Sequence, residues 1–326
     1  MRPQVSEENP PAIGRGPPSR AWGGNSMSSV SRQAACARGT QLARFQAGTK
    51  SPSSAPMSSP PLLFDRALHR KRLARAALGY PNADFLQRRA AMDIAERLAP
   101  ILRTFPLAVD LSARRGALRE ALASEAPGRV ETLIEADLSP AMLSGRFGPR
   151  LVADPERLPF APASLDLIVS TTGLHWTNDV VGALIQARLA LKPGGLFICA
   201  FIGGASLTEL RQCLVAAEDE LWGGAGSRVS PFADSLDAAG LLSRAGFKEP
   251  VADVDKVSVS YEHPLKLMAD LRQMGETSVL ADRHPKALTR ALLARTAELY
   301  AERFAGDDGR LRATFEIITL TGWAPG

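Results

Sequence analysis

Val109-Asp110-Leu111-Ser112-Ala113-Arg114-Arg115-Gly116 is the end of a short apolar strand that closes on a carboxylate and turns into a loop. In a sheet of alternating strands and helices, this is where the first ligand-binding turn falls. Glycines there let backbone N–H groups approach the ligand. Here Gly116 stands alone, and Ser112, Ala113 and Arg114 fill the rest of the loop. Holding a non-glycine residue in left-handed geometry costs roughly 1–2 kcal/mol, which a fold tolerates. The larger consequence is bulk, since an arginine side chain fills space that a ligand would use.

On either side, the pattern alternates between strands and helices. Apolar runs predict strands at 107–111, 130–136, 150–153, 165–171 and 196–201, with helices at 115–124 and 179–191 and a short helix from 140 to 143. Lys192-Pro193-Gly194-Gly195 reads as a tight turn before the fifth strand. This alternation predicts an α/β fold with a doubly wound sheet, which binds ligands outside the carboxyl ends of its strands. Upstream, 64–78 reads as a basic helix. Phe85, Ala91, Ile94, Ala95 and Leu98 mark one face of a second helix over 85–98, with Asn82 or Asp84 as its cap. Downstream, helices are expected at 206–221 and 235–245 and through roughly 264–304, with a strand pair at 253–261 and 313–323.

Composition narrows the class. The chain has 326 residues, 45% hydrophobic and 22% charged, which suits a soluble globular protein. No apolar run approaches the roughly 20 residues that span a bilayer. The net charge is +5, with an excess in Arg66, Arg70, Lys71, Arg72 and Arg75; that segment, 66–75, is a candidate for peripheral membrane contact, and no nucleic-acid partner is predicted. Residues 1–60 are rich in Pro, Ser, Gly and Arg, with Glu7 and Glu8 their only acids, and are expected to be a disordered leader. They read as a mitochondrial transit peptide, as a tail without function, or as upstream sequence ahead of a start at Met57. The three cysteines and four histidines show no metal-ligand spacing, so no metal site is predicted. The expected organisation is the leader at 1–60, helices at 61–104, a ligand-binding core at 105–205, and helices with closing strands at 206–326.

The carboxyl ends of these strands carry the candidate chemistry. Asp110 can fix its turn or accept a hydrogen bond from a ligand. Asp137 ends the second strand about 20 residues past the loop, the place from which an acid grips a ribose diol. Asp154 follows the third strand and can either cap its turn or accept from an adenine amino group. His175 and Trp176 follow the fourth. His175 is the candidate catalytic base, and the alternative is a packed His–Trp pair. Asn178 or Asp179 caps the next helix.

The layout of VDLSARRG, Asp137, the Asp154 turn with LPF, SLDLIVS and LKPGGLF resembles the class I S-adenosylmethionine-dependent methyltransferases, over roughly residues 105–202. That resemblance implies a Rossmann-like sheet of order 3-2-1-4-5-7-6 with helical N-terminal and C-terminal additions. It also implies S-adenosylmethionine as cofactor, held by Asp110, Ser112, Arg114, Gly116, Asp137, Leu138, Ala153, Asp154 and Thr171. Trp176 with Arg211 or Arg228 would line the substrate side.

A more specific resemblance runs through most of 62–324. LLFDRALHRKR, FPLAVDL, LHWTND, GGASLTELR, RVSPF, LLSRAGF, LMADLRQMGE and ATFEIITLTGW are similar to the complex I assembly factor 5 family, described both as methyltransferase-like and as an arginine hydroxylase. It implies a protein side chain as substrate and an iron–sulfur subunit of respiratory complex I as partner. The location would be the cytoplasm in a bacterium, and the mitochondrial matrix or inner-membrane face in a eukaryote. A more distant similarity is to the malonyl-carrier-protein O-methyltransferases of biotin synthesis, which implies a small or carrier-bound acid instead. The family pattern in the opening loop is approximately DLGCGRG; this chain puts Ser112 and Arg114 in place of both leading glycines. That departure motivates a third reading, a catalytically silent assembly scaffold. Alternatively, Arg114 pairs with the cofactor's carboxylate. The sequence offers no ligand set for the metal or redox cofactor of an oxygen-dependent hydroxylation.

Overall fold

The computed structural model describes residues 4–6, 62–232, 235–283 and 287–326. Most of the leader therefore lies outside the described residues, as does Cys36. The described residues belong to one compact unit.

The folded unit is built on one eight-stranded sheet. Its strands are β1 (Gln4–Ser6), β2 (Phe105–Asp110), β3 (Val130–Asp137), β4 (Arg150–Val152), β5 (Leu165–Thr171), β6 (Leu191–Gly203), β7 (Lys248–Tyr261) and β8 (Leu311–Trp323). They lie in the order β1-β7-β8-β6-β5-β2-β3-β4. Strands β2 to β6 run parallel, and β8 pairs antiparallel with both β6 and β7. Without β1, this is the 3-2-1-4-5-7-6 order of the class I methyltransferase fold. The short β1 adds to β7 at the edge, with Val5 opposite Val259, although the sequence had placed these residues in a disordered leader. A backbone ladder needs only an unpaired strand edge, whatever the composition of the segment that adds to it.

Helices cover both faces of the sheet. α2 (Phe85–Leu98), α3 (Ala117–Glu125), α5 (Thr208–Trp222), α7 (Pro264–Met274) and α8 (Arg290–Phe304) pack with one core. α4 (Val180–Ala190) and α6 (Ser235–Ala245) pack with the other. The strands supply both by their period of two. In β6, Leu196, Ile198 and Ala200 face the first core, and Phe197, Cys199 and Phe201 the second. All seven residues of β5 are buried, as a strand covered on both faces requires. Each large side chain buried here contributes roughly 1.5–3 kcal/mol.

Three local expectations are corrected. Residues 140–143 form turns, not a helix, and Gly145 and Gly148 follow with positive φ. Lys192 to Gly195 do not separate helix from strand, because β6 begins at Leu191. The segment is instead a bulge, in which Leu165 pairs with Leu191 and Leu167 with Leu196. The stretch 264–304 is two helices: Gly275 ends α7 in the left-handed conformation (φ 80°), and Thr289 caps α8 through Leu292 N.

The helix α1 (Arg66–Ala76) is capped by Asp65, whose side chain accepts from Leu68 N. Its Leu73 and Ala76 pack on Tyr80 and Met142, with Leu138 against the same cluster. α1 thereby lies over the carboxyl ends of β3 and β4. Of its five basic residues, Arg66 and Arg72 bond back onto the protein, while Arg70, Lys71 and Arg75 are exposed.

Candidate functional site

The loop after β2 keeps a glycine-like path without the glycines. Arg114 sits at φ 48° and Gly116 at φ 83°, so two loop positions are left-handed. Ser112 fits because Gly173 faces it; a Cβ on Gly173 would lie 1.8 Å from the Ser112 Oγ. That hydroxyl is 3.2 Å from the Ser170 Oγ. From α2, Gln87 Nε2 donates to the Ser112 carbonyl at 3.0 Å and to Thr171 Oγ1 at 3.2 Å, tying the loop to the end of β5. Asp110 accepts from Ser112 N at 3.2 Å and from the Thr171 hydroxyl. Burial pushes its carboxyl up to about 7; the Ser112 N–H opposes this, and the charges of Glu135 and Asp137 add to it.

Arg114 turns inward. Its side chain is 2% exposed, and its Nη1 lies 2.8 Å from Oδ2 of Asp137, which is fully buried. The same oxygen accepts from Arg114 N at 3.1 Å, and Oδ1 accepts from Ser139 N at 2.8 Å. Burial alone would lower the guanidinium, but the charges of Asp137, Tyr80 and Glu276 outweigh it and leave it raised. Its Nε and Nη2 are buried with no hydrogen-bond partner among the described residues.

A second guanidinium covers the next strand end. Arg66 of α1 donates to Asp154 Oδ1 at 2.5 Å and to the Trp176 carbonyl at 2.9 Å. Asp154 also accepts from Glu156 N, as a turn former does. Ala153 is buried, and its N–H donates to the Asp137 carbonyl at 3.0 Å. His69, one turn further along α1, is buried beside Trp176, with ring centroids 5.4 Å apart. Burial first, then the charges of Arg114 and Arg66, holds its pKa well below the usual histidine range. Its Nε2, the Ser139 hydroxyl and His175 Nδ1 also lack partners among the described residues. The region beneath α1 is therefore polar, and Arg66 Nε with Arg114 Nε and Nη2 are its buried donors without partners among the described residues.

Beyond β5, His175 and Trp176 converge on a residue that the sequence reading did not single out. Glu276 Oε2 lies 2.8 Å from His175 Nε2 and accepts from Trp176 Nε1 at 2.6 Å. Burial works against its charge, but His175, Arg114 and Trp176 outweigh this and hold the carboxyl below the ordinary glutamate range. His175 is thus both a packed partner of Trp176 (centroids 5.2 Å apart) and one half of a His–Glu pair. Glu276 stands directly after the left-handed Gly275, in the MGE of LMADLRQMGE. That helix stop was the available signal.

These three residues line a cavity of about 430 Å³, walled by Leu207, Leu210, Leu214, Met268, Leu271, Met274 and Phe315. Arg72, Arg228 and Arg283 also reach it. Arg228 is paired with the buried Glu218, and Arg72 bonds to Thr277 Oγ1 and the Ser278 carbonyl. Arg211 is not among the lining residues. It donates to the Ser230 carbonyl at 3.1 Å and so braces the loop that carries Arg228. None of the cofactor candidates at the ends of β2, β3 and β4 lines this cavity, whereas His175 and Trp176 do.

Two cysteines are placed as inert core groups. Burial raises both thiols, that of Cys213 to about 11. Among the described residues, no group of three or more His, Cys, Asp or Glu is placed to hold a metal ion, and no helix is long and apolar enough to cross a membrane.

Residues 109–199 match the family model described as a methyltransferase domain. Over 270 residues the chain is 37% identical to the zebrafish (Danio rerio) protein named Arginine-hydroxylase NDUFAF5, mitochondrial, covering 81% of this chain and 83% of that one. The human protein of the same name is 38% identical over 269 residues, covering 80% of this chain and 76% of its own length. The malonyl-acyl-carrier-protein O-methyltransferase of Methylovorus sp. (strain MP688) is 32% identical over 283 residues, covering 82% and 92%.

Proposed function

Because the chain belongs to the class I S-adenosylmethionine-dependent methyltransferase family, alongside the arginine-hydroxylase NDUFAF5 proteins, we propose that it modifies a protein side chain and so assists assembly of respiratory complex I. S-adenosylmethionine is the cofactor of this family, and it supplies a reactive methyl group when bound. The residues here fit it. Carboxylates stand at the ends of β2, β3 and β4, the loop backbone is left-handed where glycines are usual, and the cleft's unpartnered buried donors call for a ligand rich in acceptors. One seat is filled, that of Asp137, and what fills it is a side chain. Asp154 and Asp137 would hold the adenosine, and α1 would exclude water from it.

The cavity beyond His175 carries the substrate reading. Its apolar walls suit an aliphatic stem, and one carboxylate, Glu276, is set among them. Both hydrogen bonds to Glu276 fall on Oε2, which leaves Oε1 to take a guanidinium N–H. His175 keeps the carboxylate oriented and charged. The iron–sulfur subunit of complex I is the partner that the family resemblance points to.

A second reading, methyl transfer to a carrier-bound acid, is favoured by Arg72, which lines the same cavity and, among the described residues, hydrogen-bonds to the neutral oxygens of Thr277 and Ser278. One experiment separates the two. The gene is deleted in its host and replaced by wild type, Glu276→Gln or Arg72→Gln, and complex I levels and modified subunit peptides are measured by mass spectrometry. The protein side-chain reading expects deletion and Glu276→Gln to lower both. Unchanged complex I and no lost modification would refute it, and biotin dependence on deletion would establish the second.

A further inference from the structure

We propose that Arg114 decides which nucleosides this cleft accepts: its guanidinium closes the Asp137 seat until a ligand bearing its own carboxylate takes that guanidinium over. The proposal rests on the reading that the cleft takes S-adenosylmethionine.

Three observations meet here. First, the seat is shut. Asp137 has no exposed surface and accepts three N–H groups, spread over both oxygens. A strand-end acid grips a ribose by accepting from its hydroxyls, and this one has no open side from which to do so. Asp154 is different, with 28% of its side chain exposed and both of its hydrogen bonds on Oδ1.

Second, the plug is incompletely held. Arg114 uses one terminal nitrogen on Asp137, while Nε and Nη2 are buried and without partners among the described residues. A guanidinium is at its strongest when two parallel N–H groups meet one carboxylate, and that demand is unmet here. A carboxylate entering the cleft satisfies it. A nucleoside without one would have to strand a buried cation, which is strongly unfavourable.

Third, only the side chain stands in the way. Arg114 already has the left-handed backbone of a glycine position. Removing its side chain therefore opens the seat without rearranging the loop. Asp137 would keep the backbone N–H groups of residue 114 and Ser139.

The test is calorimetric titration of the full chain with S-adenosylmethionine and with decarboxylated S-adenosylmethionine, which differ by the carboxylate alone. Wild type is expected to prefer the carboxylate-bearing form by at least about 100-fold, as losing a charged partner in a buried site implies. Arg114→Gly should bind the decarboxylated form much more tightly than wild type does, cutting the preference to below about tenfold. Arg114→Met, which retains bulk without charge, should also lose the preference, and it serves as the readout if the glycine variant does not fold. A preference equal in all three proteins overturns the proposal while leaving the cofactor reading intact. Binding of neither ligand by any of them overturns both.

Discussion

The ion pair between Arg114 and Asp137 makes an asymmetric prediction about stability. Replacing Asp137 by Asn keeps the shape but removes the only anion among the described residues that is bonded to Arg114. The side chain is 2% exposed, and its Nε and Nη2 already lack partners among the described residues. Breaking a buried pair from this side should cost about 3–5 kcal/mol. For a chain of this size, that is a fall in Tm of about 6–20 °C at roughly 2–4 °C per kcal/mol. Replacing Arg114 by Met should cost less, about 1–3 kcal/mol, because Asp137 keeps the N–H groups of residue 114 and Ser139. The double variant leaves no buried charge unpaired and should be more stable than Asp137→Asn alone. Thermal melts by circular dichroism, with urea titrations, give all four corners of the cycle. Equal losses in the two single variants, or additive losses in the double, would refute the account of Asp137 as the bonded counter-charge of a desolvated guanidinium.

Two buried groups should pull stability in opposite directions with pH. Asp110, raised to about 7 in the fold, holds a proton that the unfolded chain gives up. Its contribution therefore weakens as pH rises from about 4 to 7, and Asp110→Asn should gain on wild type across that window in pH-dependent melts. His69 is held neutral and must charge on unfolding, so stability falls as pH drops below about 6.5; His69→Gln should flatten that fall, and an unchanged slope would count against the burial argument. Gly116→Ala meets two obstacles, φ of 83° and a Cβ placed 1.6 Å from Arg146 Nη2. The backbone alone should cost about 1–2 kcal/mol, and Arg146 would be pushed off Glu135, to which it lies at 3.1 Å. A melt identical to wild type would show that the loop relaxes freely.

Legibility varied by element. The strands β2, β3, β5, β6 and β8 could be read because full burial or alternation leaves a repeating trace in the residues. α2 and α6 were placed at their true bounds, although the Asp84 side chain makes no capping hydrogen bond to α2. The turn at 140–143 was misread as a helix: a four-residue segment carries no periodicity, and its flanking glycines decide it. In the site, Asp110, Asp137, Asp154, His175 and Trp176 could all be named as strand-end residues. Arg66, His69, Gln87 and Glu276 could not, because their roles come from α1, α2 and the end of α7 folding across the sheet, at least 25 residues away in sequence from what they touch there.

The sequence by itself determined the class of sheet, the positions of the acids along its edge and the identity of the odd residue in the loop, because each follows from local periodicity and turn chemistry. The tertiary structure decided what that residue does. Whether Arg114 reaches out to a ligand or inward to Asp137 depends on burial and on which charge lies nearest once β2 and β3 are paired. In the folded chain the nearest charge is Asp137, held without solvent, and a buried guanidinium goes to the carboxylate it can reach.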